Sequence, residues 1–183
     1  MPKISIAQSG GKNINAFLDM LAFAEIGKPM LSDPRTDNGY RVIVGSLPSK
    51  LILMDGYDDH PRRLVQIRKG LSSTAAGRYQ ILSRYWDHYR RTMSLGDFGP
   101  LNQDRYAIQQ IREQKALHLI QEGRIADAIY RCRNIWASLP GAGYGQHEYS
   151  LKRLLLEYQR AKGVLCDEDK TWYERAMLKR SAV

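Results

Sequence analysis

Glu25 is the residue of this sequence whose surroundings best suit acid–base chemistry. It stands near the predicted C-terminal end of the first helix, where the negative end of the helix dipole disfavours a second negative charge. Its neighbours Phe23, Ala24 and Ile26 are apolar, and partial burial among them favours the protonated carboxyl. A carboxylic acid that stays protonated nearer neutral pH suits a general acid acting on a leaving oxygen. A solvated glutamate at a helix end is the other interpretation of this position.

A second candidate motif combines small residues with a polar pair: Ser73-Thr74-Ala75-Ala76-Gly77-Arg78-Tyr79-Gln80. Small side chains ahead of a helix let a ligand approach the backbone closely. Tyr79 offers a ring face and Gln80 offers amide hydrogen bonds, with the hydroxyls of Ser73 and Thr74 nearby in the chain. The motif predicts a turn that contacts a ligand, although a tight junction between a strand and a helix has the same composition.

A third candidate is a glycine-rich segment, Trp136-Ala137-Ser138-Leu139-Pro140-Gly141-Ala142-Gly143-Tyr144-Gly145-Gln146. Three glycines in five residues cannot form a stable helix interior, so the segment is predicted to be a loop. A mobile loop that carries the aromatic Tyr144 and the amide Gln146 suits a lip over a sugar-binding cleft. An ordinary connection between helices is the alternative.

These candidates need elements to position them, and the chain is predicted to begin with a helix followed by a short β-region. Asn15 is a favourable N-cap, and apolar residues then recur at helical spacing as far as about Glu25. Glycines and prolines punctuate residues 28–69 and separate short apolar runs. Three runs predict strands of a small antiparallel sheet: 41–44, 51–54 and 64–67.

Helical periodicity returns after Thr74 and persists nearly to the C-terminus. It predicts these helices: about 79–89, 103–121, 124–135 and 150–162, and a short charged helix at 166–180. The predicted fold class is α+β, with a mostly helical lobe, a small antiparallel β-sheet lobe and a cleft between them. In that arrangement Glu25 lies at the junction of the two parts.

The length of 183 residues fits one domain. Residues 1–12 lack periodicity and are predicted to be a flexible N-terminal tail. Residues 13–183 are predicted to form a single domain, with 163–183 as a C-terminal extension. The helix in that extension is either membrane-active or packed on the domain, and its mixed charges favour packing.

The composition is strongly basic, because 28 lysines and arginines against 19 acidic residues give a net charge of +9. Such a charge predicts a polyanionic partner: nucleic acid, an anionic membrane surface or an anionic cell wall. A basic, non-enzymatic protein that binds nucleic acid or membranes is therefore one alternative. Against it, the aromatic residues follow the core pattern, and no helix-turn-helix or RNA-binding signature accompanies the charge.

The cysteines, histidines and hydropathy predict a protein without metal or cofactor. Cys132 and Cys166 lie far apart and are expected to be free thiols, and the four histidines form no zinc-binding pair. No apolar run approaches the roughly 18 residues of a transmembrane helix. The first residues lack the apolar centre of a secretory signal. We therefore expect synthesis in the cytoplasm and no stable membrane insertion.

Taken together and in this order, the motifs resemble the lambda-type endolysin family of bacteriophages. The resemblance covers about residues 15–162. It is carried by these segments: Ala16-Phe17-Leu18-Asp19-Met20-Leu21-Ala22 ahead of Glu25, Gly39-Tyr40, Val42-Ile43-Val44-Gly45, Asp59-His60-Pro61-Arg62, Ala76-Gly77-Arg78-Tyr79-Gln80, and Asn134-Ile135 through Gln146. There are two departures: Arg41 stands where relatives can carry an acidic residue, and an insert containing Pro29 alters the end of the first helix.

The resemblance implies a lysozyme-like fold and a lytic transglycosylase that cleaves the β-1,4 MurNAc–GlcNAc bond of peptidoglycan. Glu25 matches the family's single catalytic glutamate, which protonates the glycosidic oxygen and then acts as base toward the C6 hydroxyl, leaving a 1,6-anhydro-MurNAc end. Water is not the nucleophile, so no second carboxylate is needed, whereas ordinary glycosidases use two. We expect substrate contacts from six residues: Ser73, Thr74, Tyr79, Gln80, Tyr144 and Gln146.

The resemblance also implies a role in lysis of a bacterial host. The protein is expected to be a monomer that binds peptidoglycan strands and not nucleic acid. It would accumulate in the host cytoplasm and reach the periplasm and cell wall once a separate holin-type membrane protein opens the inner membrane. A hydrolytic muramidase, or lysozyme, is the alternative with the same fold. Attraction to the anionic wall would explain the basic charge.

Overall fold

The computed structural model of the protein describes residues 1–178. Its helices are α1 (Ile6–Ser9), α2 (Lys12–Ile26), α3 (Lys28–Leu31), α4 (Ser83–Thr92), α5 (Pro100–Glu113), α6 (Leu117–Gln121), α7 (Ile125–Cys132), α8 (Leu151–Arg160) and α9 (Asp167–Leu178). A 3-10 helix spans Pro34–Thr36, and the strands are β1 (Val65–Arg68) and β2 (Leu71–Ser73). The predicted α+β class is confirmed.

The chain divides into two compact units. The central unit is Glu25–Ala107, and the terminal unit consists of Met1–Ala24 and the chain from Ile108 onward. The division falls within α2 and within α5.

In the terminal unit, the first twelve residues contain helix α1 rather than the predicted loose tail. Ser5 and Gln8 form a capping box, because the Ser5 hydroxyl accepts from the Gln8 N–H at 3.2 Å and the Gln8 side chain accepts from the Ser5 N–H at 3.3 Å. Helix α2 begins at Lys12, so the prediction of Asn15 as its N-cap is wrong. Asn15 lies inside α2, and its side chain donates to the Ile4 carbonyl at 3.0 Å.

The remaining helices of the terminal unit pack in sequence, α6 on α7, α7 on α8 and α8 on α9. The predicted helix 103–121 is interrupted, because Lys115 takes a left-handed conformation (φ +55°) between α5 and α6. Helix α8 follows Ser150, whose hydroxyl accepts a hydrogen bond from the Arg153 N–H, as an N-cap does. The predicted helix at 150–162 is thus present in shorter form.

The C-terminal extension is fastened to the terminal unit by helix α9. The Asp169 carboxylate accepts from the Ala126 N–H at 2.9 Å, at the N-terminal end of α7. The Lys152 ammonium of α8 donates to the Ala176 carbonyl at 2.6 Å. The described part of the extension is therefore a packed helix, and the last two residues of the predicted helix, 179 and 180, lie outside the described residues.

The β-region of the central unit is smaller than the sequence predicted. Strands β1 and β2 pair antiparallel, and β1 overlaps the predicted strand at 64–67. The runs at 41–44 and 51–54 make only isolated bridges: Val42 with Leu53, and Ile43 with Ala76. Gly39 and Gly45, with φ of +90° and +83°, bend the backbone on either side of the first run and leave it too short for a longer ladder.

Candidate active site

Glu25 lies in the last turn of α2, and its side chain is half-buried. The residues beside it, Ala24 and Ile26, are 6% and 5% exposed. Gly39 lets its own backbone approach Ile26 closely, because a Cβ at position 39 would come within 2.8 Å of the Ile26 Cδ1 atom. Partial burial and the negative end of the helix dipole both disfavour a charged carboxylate at this position. These general effects make Glu25 the candidate acid of this site.

The hydroxyls of Ser73 and Thr74 close the turn that leads into α4. The Thr74 Oγ1 accepts from the Ser83 N–H at 3.2 Å and lies 3.0 Å from the Ser83 hydroxyl, which satisfies a free donor at the start of the helix. The Ser73 hydroxyl oxygen accepts from the Ala75 N–H at 3.1 Å. Both side chains remain partly exposed, so each hydroxyl can also meet a ligand.

The middle of the same motif is a buried packing site rather than a ligand cradle. Gly77 has a φ of +77°, and a Cβ there would lie 2.1 Å from the Gln103 Oε1. That oxygen accepts from the Arg78 N–H at 2.9 Å, and the Gln103 amide donates to the carbonyls of Tyr40 and Phe98 at 3.1 and 2.8 Å. The glycine is therefore needed to let the amide of Gln103 reach the backbone.

Tyr79 takes a different position from the one its predicted role requires. Its ring is 1% exposed, and its hydroxyl donates to the Asp104 Oδ1 at 2.6 Å. The Tyr40 hydroxyl donates to the same oxygen at 2.8 Å. Burial, together with the Asp104 charge, raises the pKa of Tyr79. A buried ring has no face to offer a sugar, so Tyr79 supports the turn from beneath.

Gln80, at the end of this motif, is partly exposed, unlike the buried residues 75–79 before it. Its backbone is left-handed (φ +48°), and its side chain is partly exposed. The side-chain amide donates to the Gly77 carbonyl at 3.0 Å, which fixes the direction of the carboxamide. The buried network of Tyr40, Gln103 and Asp104 thus holds the turn from which Gln80 projects.

The glycine-rich loop is more constrained than a mobile lip. The Glu148 carboxylate accepts from the Gly141 and Gly143 N–H groups, each at 2.8 Å. These hydrogen bonds, the one from Gly143 first, lower the pKa of the Glu148 carboxyl. Tyr144 is 53% exposed, and its hydroxyl donates to the Asn134 carbonyl at 2.8 Å. Gln146 is also exposed and can meet a ligand.

The Asp59-His60-Pro61-Arg62 motif is a structural network that attaches its loop to α4. The Asp59 carboxylate accepts from the Trp86 indole at 3.0 Å and pairs with Arg62 at 2.7 Å and Arg90 at 2.8 Å. Burial raises the pKa of Asp59, but the hydrogen bonds from Arg62, Trp86 and the His60 backbone outweigh it and bring the pKa to about 2. The ion pair between Asp59 and Arg62 could have been found from the sequence, because the two residues carry opposite charges three positions apart.

His60 is buried in that network as a neutral imidazole. Its Nδ1 accepts from the Arg62 N–H at 3.0 Å, so its Nε2 carries the proton and donates to the Ile81 carbonyl at 2.8 Å. Burial lowers the pKa of His60, and the bond to Ile81 opposes that effect only in part. The ring also meets Phe98 edge-on, with centroids 4.7 Å apart. His60 is thus a core residue and not a surface base.

Within residues 1–178, no group of three or more His, Cys, Asp or Glu side chains is placed to hold a metal ion. Cys132 and Cys166 are free thiols, and burial raises the pKa of Cys132 to about 12. None of the helices in this part of the chain combines the length and apolar character that crossing a membrane requires.

Solved structures share this fold. Lysozyme from bacteriophage lambda matches with a TM-score of 0.75 and 44% identity, covering 91% of this chain and all of the lambda chain. The lambda lysozyme complexed with a chitohexasaccharide matches with a TM-score of 0.79 and 46% identity over the same shares. The α+β chain described above is therefore a lysozyme-like protein.

Sequence comparison defines the family more closely. The endolysin family model matches residues 15–165. The endolysin of Escherichia phage P2 is 52% identical over 170 residues, which cover 90% of this chain and 99% of the P2 protein. The endolysin of Escherichia phage lambda is 49% identical over 154 residues, covering 84% of this chain and 94% of the lambda protein. The chain belongs to the endolysin family of peptidoglycan-cleaving lysis enzymes.

Proposed function

We propose that the chain cleaves the β-1,4 MurNAc–GlcNAc bond of peptidoglycan by lytic transglycosylation, with Glu25 as its single catalytic residue. The observation that carries the proposal is the half-buried position of Glu25 in the last turn of α2, between residues that are almost completely buried. A carboxyl in such a place favours its protonated form and can act first as acid and then as base.

In the proposed reaction, protonated Glu25 donates its proton to the glycosidic oxygen while the bond from the MurNAc C1 atom to that oxygen breaks. The GlcNAc side leaves as an alcohol, and positive charge develops at C1. The Glu25 carboxylate then accepts the proton of the C6 hydroxyl on the same MurNAc, and O6 bonds to C1. The product ends in 1,6-anhydro-MurNAc, and Glu25 regains its proton.

The contacts of the aspartates between Glu25 and Gln80 leave few candidates for the second carboxylate of a hydrolase. A hydrolase needs a second carboxylate that is free to activate water or to attack C1. Three of the five aspartates between Glu25 and Gln80 are engaged by neighbouring side chains: Asp33 by Arg35, Asp37 by Tyr57 and Asp59 by Arg62. The other two, Asp55 and Asp58, are exposed. Transglycosylation needs none of them.

We assign substrate contacts to the partly exposed side chains of the predicted set. In the central unit these are Ser73, Thr74 and Gln80, which can exchange hydrogen bonds with sugar hydroxyls and acetamido groups. In the terminal unit they are Tyr144, whose exposed ring can cover a sugar face, and Gln146. The chitohexasaccharide bound by the lambda lysozyme supports a strand of β-1,4-linked hexosamines as the ligand class.

Mass spectrometry of digested peptidoglycan tests the proposed chemistry. Lytic transglycosylation is expected to give muropeptides that end in 1,6-anhydro-MurNAc, which are lighter by one water than the products of hydrolysis. Digestion in water enriched in oxygen-18 provides the control, since a transglycosylase incorporates no label. Labelled reducing ends would establish the alternative, a hydrolytic muramidase. Absence of any cleavage by folded protein would reject both enzymatic functions.

For the cellular role, we propose that the monomeric protein accumulates in the host cytoplasm and reaches the wall after a holin-type membrane protein opens the inner membrane. Membership of the endolysin family supports this sequence of events. Expression in a bacterial host is expected to cause lysis when a holin is co-expressed, or when the inner membrane is permeabilised, and not otherwise. Lysis by the protein alone would contradict the need for a holin.

A further inference from the structure

The loop at residues 139–149 is closed by one carboxylate. The Glu148 Oε2 accepts from the Gly141 N–H and its Oε1 accepts from the Gly143 N–H, both at 2.8 Å. Two backbone hydrogen bonds accompany it: the Ala142 N–H donates to the Leu139 carbonyl at 3.2 Å inside the loop, and the Tyr149 N–H donates to the Ser138 carbonyl at 2.9 Å at its base. The carboxylate thus binds both N–H groups that flank Ala142.

The glycines are required by conformation and not by space. Gly141 and Gly143 have φ of +78° and +76°, where side chains are disfavoured. A Cβ at Gly143 would meet nothing within 4 Å, and one at Gly141 would meet only the Arg133 Cδ, at 3.6 Å. Left-handed residues in such a turn aim their N–H groups at one point and form an anion-binding concavity. In this chain, Glu148 supplies the anion.

Tyr144 lies directly after this concavity. Its hydroxyl bond to the Asn134 carbonyl fixes the far side of the same segment. Without the carboxylate, three glycines in five residues would leave the backbone many conformations, and a ligand would have to select one of them. Glu148 and Asn134 therefore restrain the segment that carries Tyr144 and Gln146.

We propose that Glu148 is a positioning residue, which holds this loop in the conformation that presents Tyr144 and Gln146 to the glycan strand. The inference rests on the proposed function for the identity of the ligand. Glu148 acts through the loop and does not itself touch the sugar. Preorganisation of this kind improves binding because less conformational freedom is lost when the ligand arrives.

Three variants test the proposal by steady-state kinetics on peptidoglycan glycan strands. Glu148→Ala removes both acceptors, Glu148→Gln keeps one oxygen for two N–H groups, and Glu148→Asp keeps both oxygens on a shorter stem. Apparent affinity falls with the fraction of loops in the competent conformation, so KM for Glu148→Ala should rise about three- to tenfold. The kcat and the Tm should stay near wild type, with smaller KM changes for Glu148→Asp. Glu174→Ala, which removes an exposed glutamate of α9, is the matched control.

Amide hydrogen exchange measures the hydrogen bonds from Gly141 and Gly143 to Glu148 without any substrate. The N–H groups of Gly141 and Gly143 should exchange slowly in the wild type and in Glu174→Ala, and much faster in Glu148→Ala. Unchanged exchange in Glu148→Ala would overturn the proposal. A lowered Tm accompanied by faster exchange throughout the terminal unit would also overturn it, since it would show a general structural role.

A double-variant comparison tests whether Glu148 acts through the loop's side chains. In the Tyr144→Ala/Gln146→Ala background, Glu148→Ala should no longer raise KM. A full additional increase in KM would overturn the proposal. An unchanged KM for Tyr144→Ala/Gln146→Ala itself would show that the loop does not contact the substrate and would overturn this inference. The proposed reaction at Glu25 is tested separately, by detection of the anhydro product.

Discussion

At the scale of single residues, Glu25 carries the proposed chemistry, and its position explains why one carboxyl can suffice. The last turn of α2 supplies the negative dipole end, and the buried Ala24 and Ile26 limit solvent around it. Gly39 lets a neighbouring loop pack closely against Ile26, the residue that follows Glu25. The helix end and its buried neighbours therefore set the surroundings of Glu25, and Gly39 contributes through its close approach to Ile26.

Glu25→Gln should lower the rate of glycan cleavage at least about a hundredfold, which is typical of losing general acid–base catalysis. The amide preserves the shape of the side chain but can neither donate a proton to the glycosidic oxygen nor take one from the C6 hydroxyl. Muropeptide release is the measurement, with circular dichroism to confirm folding and Glu174→Gln as the control. Turnover within a few-fold of wild type would show that Glu25 is not the catalyst.

The neighbouring residues Tyr79 and Gln80 should give opposite phenotypes. Tyr79→Phe removes a buried hydroxyl bonded to Asp104 and should cost about 1–2 kcal/mol of stability without changing KM. Gln80→Ala removes a partly exposed carboxamide and should raise KM with little change in stability. Urea unfolding and steady-state kinetics on both variants provide the test. A raised KM for a fully folded Tyr79→Phe protein would return Tyr79 to the substrate site.

At the scale of elements, the buried turn at Gly77 organises the central unit. Gly77→Ala should cost about 1 kcal/mol for its left-handed backbone and about 1–3 kcal/mol more for overpacking against Gln103. Gly70→Ala is the matched control, because Gly70 has a φ of +79° but its Cβ would meet nothing within 4 Å. The difference in unfolding free energy between the two variants isolates the steric contribution. Equal losses would contradict the close approach of Gln103.

His60 should make the stability of the protein depend on pH in one direction. Because burial lowers its pKa below 6.5, the unfolded chain takes up a proton at a higher pH than the folded one. Its contribution to stability is therefore complete above about pH 6.5 and declines as the pH falls below that value. Urea unfolding at pH 7.5 and 5.5 should show a smaller pH-dependent loss for His60→Gln than for wild type. His118→Gln, at an exposed position, should keep the wild-type slope.

The helices were predictable from sequence to the extent that their signals are local. Apolar spacing located α2, α4 and α8, and Ser150 marked the start of α8. The same reasoning missed the capping box at Ser5 and Gln8. It also continued one helix across Lys115, because apolar periodicity does not reveal a single residue with a left-handed backbone. The predicted strands at 41–44 and 51–54 form only isolated bridges, because an apolar run alone does not specify which segment it pairs with.

The motifs of the candidate site could be found in the sequence, but the distant residues that hydrogen-bond to them could not. Nothing near Tyr40 in the chain indicates Asp104, which is 64 residues away and accepts a hydrogen bond from the Tyr40 hydroxyl. The sequence therefore placed Tyr79 at a ligand when it belongs to the buried network. Glu148 was not predicted either, although a local signal existed, because an acidic residue soon after a glycine-rich loop is a candidate anion for its N–H groups.

At the scale of the whole molecule, side-chain hydrogen bonds join residues near the N-terminus to much later parts of the terminal unit. The Asn13 side chain accepts from the Val164 N–H at 3.1 Å and donates to the Gln121 carbonyl at 3.3 Å. The Gln121 amide in turn donates to the Gly10 carbonyl at 3.3 Å. Residues 10 and 13 are thus hydrogen-bonded to residues more than a hundred positions later in the chain.

The net charge of +9 should act on the approach to substrate rather than on the chemistry. Attraction between exposed lysines or arginines and an anionic wall is screened as salt rises, with a Debye length of about 8 Å at physiological ionic strength. Lysis of cells with a permeabilised outer membrane should therefore slow between low and high salt. Cleavage of a short, uncharged chitin-like oligomer, if the enzyme accepts one, should barely change, because the proposed reaction at Glu25 uses no cation.

Comparing permeabilised cells with the uncharged oligomer shows whether the charge acts on the approach to the wall or within the catalytic site. Equal loss of both activities at high salt would mean that the charge acts within the catalytic site or that salt perturbs the fold. Circular dichroism at both salt concentrations distinguishes those two outcomes, since only the second changes the spectrum. Salt-insensitive lysis would contradict electrostatic attraction to the wall altogether and would leave the excess of lysine and arginine without a role in substrate approach.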